Sequence, residues 1–207
     1  MDVLFINANA SKEVYQDLSK KYSAREPPTW SLLLAQSCRS VSHSVAILDC
    51  CAEELDHKDT VERIQQINPR LLCFVVYGQN VNAGTTSMAG AIALSEYIKN
   101  SGITTPIAYI GSHVQSLPYE TLEKEKSIDI IFTNEGVYAL RNLLKQEEIK
   151  LNNLEHINGI GFIKDGKPFL TTPERVVPQD RMDLDLPGYA WDLLPYKEKP
   201  FDLYRSW

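Results

Sequence analysis

The side chains best suited to chemistry are four histidines, His43, His57, His113 and His156, and four cysteines, Cys38, Cys50, Cys51 and Cys73. No histidine stands at metal-ligand spacing from another His, Cys or carboxylate, and the cysteines form neither a zinc pattern nor a Cys-x-x-Cys redox pair. His57 follows Asp56 in a charged turn, and Cys73 sits inside an apolar run, where a small buried thiol is expected. No G-x-G-x-x-G follows the first apolar run, and neither G-x-x-x-x-G-K-[ST] nor G-x-S-x-G occurs, so dinucleotide, P-loop and serine-hydrolase chemistries lose their main support. What remains is a polar stretch, "FVVYGQNVNAGTTSMAGAIALSEYIK" from Phe74 to Lys99. An apolar run stops there at Tyr77, and glycine, amides and hydroxyls follow. Such residues hold a ligand by hydrogen bonds and close approach rather than by moving protons.

The elements that position this stretch alternate. Strands are expected at Asp2 to Asn7, Ser44 to Cys50, Arg70 to Tyr77, Pro106 to Gly111 and Ile128 to Thr133. Helices are expected from Thr29 to about Val41, Lys58 to Ile67 (Val61, Ile64 and Ile67 repeat at helical spacing), Thr85 to Asn100, Leu117 to Lys124 and Glu135 to Lys145. Continuous apolar strands alternating with helices predict a doubly wound, flavodoxin-like or Rossmann-like α/β fold with a five-stranded parallel sheet. "GIGFIKDGKPFL" (Gly159 to Leu170) predicts a hairpin turning at Asp165-Gly166. The remaining stretch carries Pro173, Pro178, Pro187, Pro195 and Pro200 and predicts an extended tail. The expected organisation is an α/β domain over 1–148, a hairpin extension over 149–172 and a linker over 173–207.

Open α/β sheets bind ligands beyond the carboxyl ends of their strands. That rule selects Asn7, Ala8, Asn9, Ala10 and Ser11 after the first strand, and Tyr77, Gly78, Gln79, Asn80, Val81, Asn82, Ala83, Gly84, Thr85 and Thr86 after the third. It also selects Gly111, Ser112 and His113 after the fourth strand, and Asn134, Glu135 and Gly136 after the fifth. This rim is rich in amides and hydroxyls and poor in charge, which suits a large neutral or mixed ligand. Glu135 reads either as a first-turn helix carboxylate favoured by the dipole or as a group facing the cavity.

With 207 residues, 43% hydrophobic and 23% charged, the chain is long enough for one sizeable core. A net charge of −6 without a basic cluster argues against nucleic acid or an anionic membrane as primary partner. No segment has the apolar length of a membrane span, and no export signal opens the sequence, so a cytoplasmic location is expected.

Four stretches, in order, resemble the cobalamin-binding domain that precedes the catalytic barrel in B12-dependent radical S-adenosylmethionine enzymes. They are "PPTWSLLLAQSCRSVSHSVAILDC", "IAYIGSHVQSLPYETL", "IDIIFTNEGVYALRNLL" and "INGIGFIKDGKPFLTTPERVVPQDRMDLDLPGYAWDLLP". The resemblance covers nearly the whole chain. It departs from the family at Ser112, where a second glycine is usual, at Val137, which replaces the second glutamate, and at Asn134, which replaces a glycine. It implies cobalamin as cofactor, bound by the rim residues. It also implies a separate radical domain carrying a Cys-x-x-x-Cys-x-x-Cys [4Fe-4S] site and S-adenosylmethionine, with methyl transfer as the leading reaction. Because no Asp-x-His-x-x-Gly motif occurs, the implied cobalamin lacks a histidine lower ligand, and Tyr77 is the residue nearest in the chain to be considered for that face. The alternative is a flavodoxin-like or signalling module binding flavin or a protein partner. "NANAS" after the first strand offers neither a receiver's acidic cluster nor more than Ser11 of a phosphate loop. A cofactor-free domain using its aromatic tail for protein contact is the third reading.

Overall fold

A computed structural model describes residues 1–9, 25–77, 81–195 and 204, with the backbone alone at 81–83. Seven strands form one sheet in the order β2-β1-β3-β4-β5-β6-β7. Strands β1 (Val3–Asn7), β2 (Val45–Asp49), β3 (Leu72–Val75), β4 (Ile107–Ile110) and β5 (Ile130–Phe132) run parallel. These are the five expected parallel strands. The hairpin β6 (Ile160–Lys164) and β7 (Lys167–Leu170) does not stand apart but continues the same sheet, with β6 antiparallel to β5. Its turn has Asp165 at φ 50° and Gly166 at φ 75°, the paired left-handed conformations that a two-residue hairpin turn requires.

The parallel strands are apolar throughout because both faces of the sheet are covered. Val3 and Phe5 of β1 point into one core while Leu4 and Ile6 point into the other. On the first side lie α1 (Thr29–Arg39) and α6 (Val137–Leu144), through Leu34, Ala35, Leu140 and Leu143. On the second lie α2 (His57–Ile67), α3 (Val81–Asn100) and α5 (Pro118–Lys124), through Val61, Ile64, Met88, Leu94, Ile98 and Leu122. The largest fully buried side chains include Phe5, Phe74, Tyr109, Phe132 and Phe162, each stabilising by roughly 1.5–3 kcal/mol on area alone. The Tyr109 ring stacks on Phe74 at 4.8 Å, and its hydroxyl donates to Ser95 Oγ at 3.0 Å, so the one polar atom of that ring stays satisfied. Among the described residues no helix is long and apolar enough to cross a membrane.

Two boundaries differ from expectation. α3 begins at Val81 rather than Thr85, so Val81, Asn82 and Gly84 belong to its first turns instead of a broad loop. Nothing in this run breaks a helix, the cost of Gly84 is about 1 kcal/mol, and the buried stripe Met88, Ala91, Leu94 and Ile98 anchors the helix it extends. The rim after β4 is likewise helical, as the five-residue α4 (Ser112–Ser116).

The C-terminal stretch lies against α1 and α6 as short turns around α7 (Met182–Asp185). Ala190 donates its N–H to Leu32 O at 3.2 Å, and Arg39 pairs with Asp192 at 2.9 Å. A buried latch completes the contact. Arg141 Nη1 donates to Asp185 Oδ1 at 2.7 Å, its Nη2 to Ser37 O at 2.9 Å, and Tyr138 donates to Asp185 Oδ2 at 2.7 Å.

Candidate functional site

The chain passes from β1 to β2 on one side of the sheet and returns to β3 on the other, which puts the topological switch point between β1 and β3. A crevice of about 170 Å³ opens there, lined by Asn7, Glu26, Pro27, Pro28, Thr29, Trp30, Ser31, Val75 and Tyr77. A second cavity of about 380 Å³ is lined by Asn9, Cys50, Leu55, Asp56, His57, Lys58, Thr60, Leu94 and Tyr97. The Pro27-Pro28 pair feeds straight into α1, whose N-cap position, Pro28, makes no side-chain cap. Proline is tolerated there because a first-turn N–H is unsatisfied within the helix in any case.

Tyr77 forms the floor of the crevice. Gln115 of α4 donates Nε2 to the Tyr77 hydroxyl and to Asn134 O, both at 2.6 Å. Trp30 meets the Tyr77 ring edge-on at 5.7 Å and donates its indole N–H to Glu135 O at 3.2 Å. Burial raises the Tyr77 hydroxyl pKa above its ordinary value, the Gln115 hydrogen bond opposing, so the phenol is neutral. At the neighbouring strand end, Asp49 is 1% exposed and accepts from Asn7 Nδ2 at 2.8 Å, Ala52 N at 3.1 Å and Tyr204 Oη at 2.9 Å. Burial pushes its carboxyl pKa up against those three hydrogen bonds. Asn7 is thereby pinned at the mouth of the crevice.

The expected rim residues divide. Gln115 hydrogen-bonds to Tyr77, to Asn134 O and, through its N–H, to Gly111 O, while Ser112 and His113 belong to α4, with His113 Nδ1 3.4 Å from Thr85 Oγ1. Gly84 is buried, and Thr85 and Thr86 are exposed on the early turns of α3. Asn9 lines the second cavity. Ala10, Ser11, Gly78, Gln79 and Asn80 lie outside the described residues. Glu135 precedes the helix rather than sitting in its first turn. α6 starts only at Val137, and the Glu135 carboxylate accepts the N–H of Val177, tying down the C-terminal stretch. The Asn134 side chain is also structural: Oδ1 accepts from Gly136 N at 2.9 Å and Nδ2 donates to Glu174 O at 2.9 Å. Gly136 precedes α6 at φ 80°, a conformation that favours glycine.

Asn7 is among the rim residues the rule selects, whereas Gln115, Trp30 and Asp49 are site-forming residues that it did not single out. Asp49 ends β2 and would have followed from applying the rule to that strand. Gln115 stands four residues beyond Gly111, one helical turn that the expected loop concealed.

The polar set lining the crevice is mainly neutral, the Asn7 amide and the hydroxyls of Thr29, Ser31 and Tyr77, with Glu26 as the carboxylate. Ser31 is fully buried, and neither its Oγ nor that of Ser112 has a hydrogen-bond partner among the described residues. Orphaned buried hydroxyls, which include those of Ser37 and Thr121 elsewhere in the fold, each cost about 1–3 kcal/mol; of the four only Ser31 lines the crevice, where a ligand group can supply its partner. At about 170 Å³ the crevice is of a size to take one edge of a large ligand. Among the described residues no group of three or more His, Cys, Asp and Glu could hold a metal ion.

Comparison with known proteins agrees. Residues 16–144 match the family model of the B12 binding domain, and the chain belongs to that family. The uncharacterized methyltransferase PH0819 of Pyrococcus horikoshii is 27% identical over 169 residues, 82% of this chain and 34% of that protein. Among solved structures, the cobalamin-dependent S-adenosylmethionine radical enzyme OxsB with aqua-cobalamin bound superposes with a TM-score of 0.67 at 18% identity, covering 93% of this chain and 24% of OxsB. The radical S-adenosylmethionine methyltransferase TsrM of Kitasatospora setae, with cobalamin and a [4Fe-4S] cluster bound, gives 0.58 at 13% identity over 86% of this chain and 30% of TsrM. The chain thus spans about a third or less of these relatives.

Proposed function

We propose that this B12-binding domain is the cofactor-holding part of a B12-dependent radical S-adenosylmethionine enzyme, and that it carries cobalamin with no histidine on the lower cobalt face. The observation behind this is the switch-point crevice, whose floor is Tyr77 rather than a histidine and whose polar groups are mainly neutral. In this role the rim at Asn9, Tyr77, Gly84, Thr85, Ser112 and His113 borders the macrocycle, Asn7 and Ser31 address its amide side chains, and the apolar strand ends exclude water. Bound cobalamin supplies a cobalt centre able to carry a methyl group, while the protein supplies position and electrostatics. Residues 1–148 hold the cofactor, and 149–172 and 173–207 lead toward a further domain with the iron–sulfur cluster and S-adenosylmethionine. Methyl transfer is the favoured reaction, since PH0819 and TsrM are both described as methyltransferases.

The test is electron paramagnetic resonance of the chain loaded with cob(II)alamin. Expected is a cobalt signal with no superhyperfine splitting from a protein nitrogen, unchanged when the protein is labelled with nitrogen-15. A three-line nitrogen splitting that disappears in His113→Ala would overturn the histidine-free assignment.

A further inference from the structure

The hydrogen bonds around Gln115 fix the direction of a proton that the fold itself leaves unused. The Gln115 amide touches Tyr77 Oη and Asn134 O at 2.6 Å with one and the same terminal atom. Asn134 O is a backbone carbonyl and can only accept, so that terminal atom must be the NH₂ group; an amide oxygen there would face a second oxygen with no proton between them. The nitrogen has no lone pair to offer, so Tyr77 Oη accepts from it, and the Tyr77 O–H proton points elsewhere. Among the described residues no other group hydrogen-bonds to the Tyr77 hydroxyl, and Tyr77 lines the crevice. The ring cannot swing to find another partner cheaply, because Trp30 braces its edge and is itself held through the indole N–H on Glu135 O.

We infer that Tyr77 is a hydrogen-bond donor to an oxygen of the bound cobalamin, with Gln115 as the positioning residue that sets the direction of that donation. This rests on the cobalamin reading above. Two oxygens share the required chemistry, a carboxamide carbonyl on the corrin rim and a water or hydroxide on cobalt. In this assignment the phenol acts as a donor, with one oxygen lone pair already taken by Gln115.

The experiment is a titration of wild type, Tyr77→Phe, Gln115→Glu and Gln115→Leu with hydroxocobalamin, followed by visible absorbance, with circular dichroism on each variant to establish folding. Wild-type binding establishes the reading on which the inference rests; its failure would remove that reading and not this geometry alone. Given binding, Tyr77→Phe is expected to weaken it about three- to tenfold, the worth of one neutral hydrogen bond. Gln115→Glu is expected to match that loss although the phenol is intact, because the new carboxylate accepts the Tyr77 proton and turns the donor away from the crevice. Gln115→Leu, which removes the anchor without capturing the proton, is expected to fall between wild type and Gln115→Glu. A water-to-hydroxide transition of bound cobalamin that shifts in Tyr77→Phe assigns the acceptor to cobalt, and an unshifted one assigns it to the corrin rim. Wild-type affinity in Tyr77→Phe or in a folded Gln115→Glu would overturn the inference. So would a loss beyond a hundredfold accompanied by a change of cobalt ligation in Tyr77→Phe.

Discussion

Gly111 is a rim glycine whose necessity comes from the backbone beside it. A Cβ built there falls 2.1 Å from Val76 O and 2.8 Å from Val76 C, far inside the ~3.5 Å at which non-bonded atoms rest. Val76 cannot step aside freely, since its N–H donates to Ile110 O at 2.8 Å and closes the β3–β4 ladder. In Gly111→Ala we therefore expect the upper half of the overpacking range, about 2–3 kcal/mol, plus about 1 kcal/mol for the weakened hydrogen bond. The lost freedom of glycine in the unfolded chain offsets about 0.4–1 kcal/mol. The net destabilisation is about 2–3 kcal/mol, which at a urea slope of about 2 kcal/mol/M lowers the unfolding midpoint by about 1–1.5 M. Gly102→Ala is the matched control: Gly102 has φ 83° and nothing within 4 Å of its Cβ position, so it carries only the left-handed backbone cost of about 1 kcal/mol. A Gly111→Ala midpoint no lower than that of Gly102→Ala would refute the steric reasoning. Gln115 N donates to Gly111 O at 3.2 Å, so the same variant should also displace the Tyr77 anchor.

Three further outcomes are expected. Asp185→Ala leaves the Arg141 guanidinium, 8% exposed, without its counter-charge, and should cost about 3–5 kcal/mol while opening 173–195 to limited proteolysis; an unchanged cleavage pattern would contradict the latch. Gly136→Ala should cost about 2 kcal/mol from its left-handed φ and the 2.3 Å approach of Ile110 Cδ1, and adding Ile110→Val should recover part of it in a double-mutant cycle. For Asp2, burial raises the carboxyl pKa, but hydrogen bonds from the Ser44 hydroxyl and N–H and from Arg70 outweigh it and lower the pKa to about 2. A depressed folded-state pKa gives stability that is present above the unfolded value and lost as pH falls through the folded one. Chemical denaturation should therefore show the gap between wild type and Asp2→Asn shrinking by about 1 kcal/mol, after solvent screening, from pH 5 to pH 2; a constant gap would contradict the pairing.

Local pattern carried most of the fold. The runs at Val3–Asn7 and Leu72–Val75 are apolar at every position but Asn7 because both faces are covered, and Asp165-Gly166 named its own turn. α2 was legible from Val61 and Ile64 and gains a cap in which Asp56 accepts the N–H of Asp59 at 2.8 Å. What sequence could not supply was long-range pairing. The placement of β6 beside β5 and the meeting of Gln115 with Tyr77, 38 residues apart, depend on register, which local periodicity does not encode. The Glu135 carboxylate accepts from Val177 N, 42 residues further on, a long-range pairing that a helix-start dipole role does not foretell. Gly111 has a steric reason that the rim rule does not supply, the close approach of the Val76 carbonyl.

The most direct test is an equilibrium titration with hydroxocobalamin of wild type beside Thr29→Trp. Thr29 is exposed at the crevice mouth, where an indole fills the opening without disturbing the core. We predict saturable binding at one cobalamin per chain for wild type and a loss of at least tenfold in affinity for a folded Thr29→Trp. No binding by wild type, or equal affinity in the two proteins, would contradict cobalamin binding at the β1–β3 switch point.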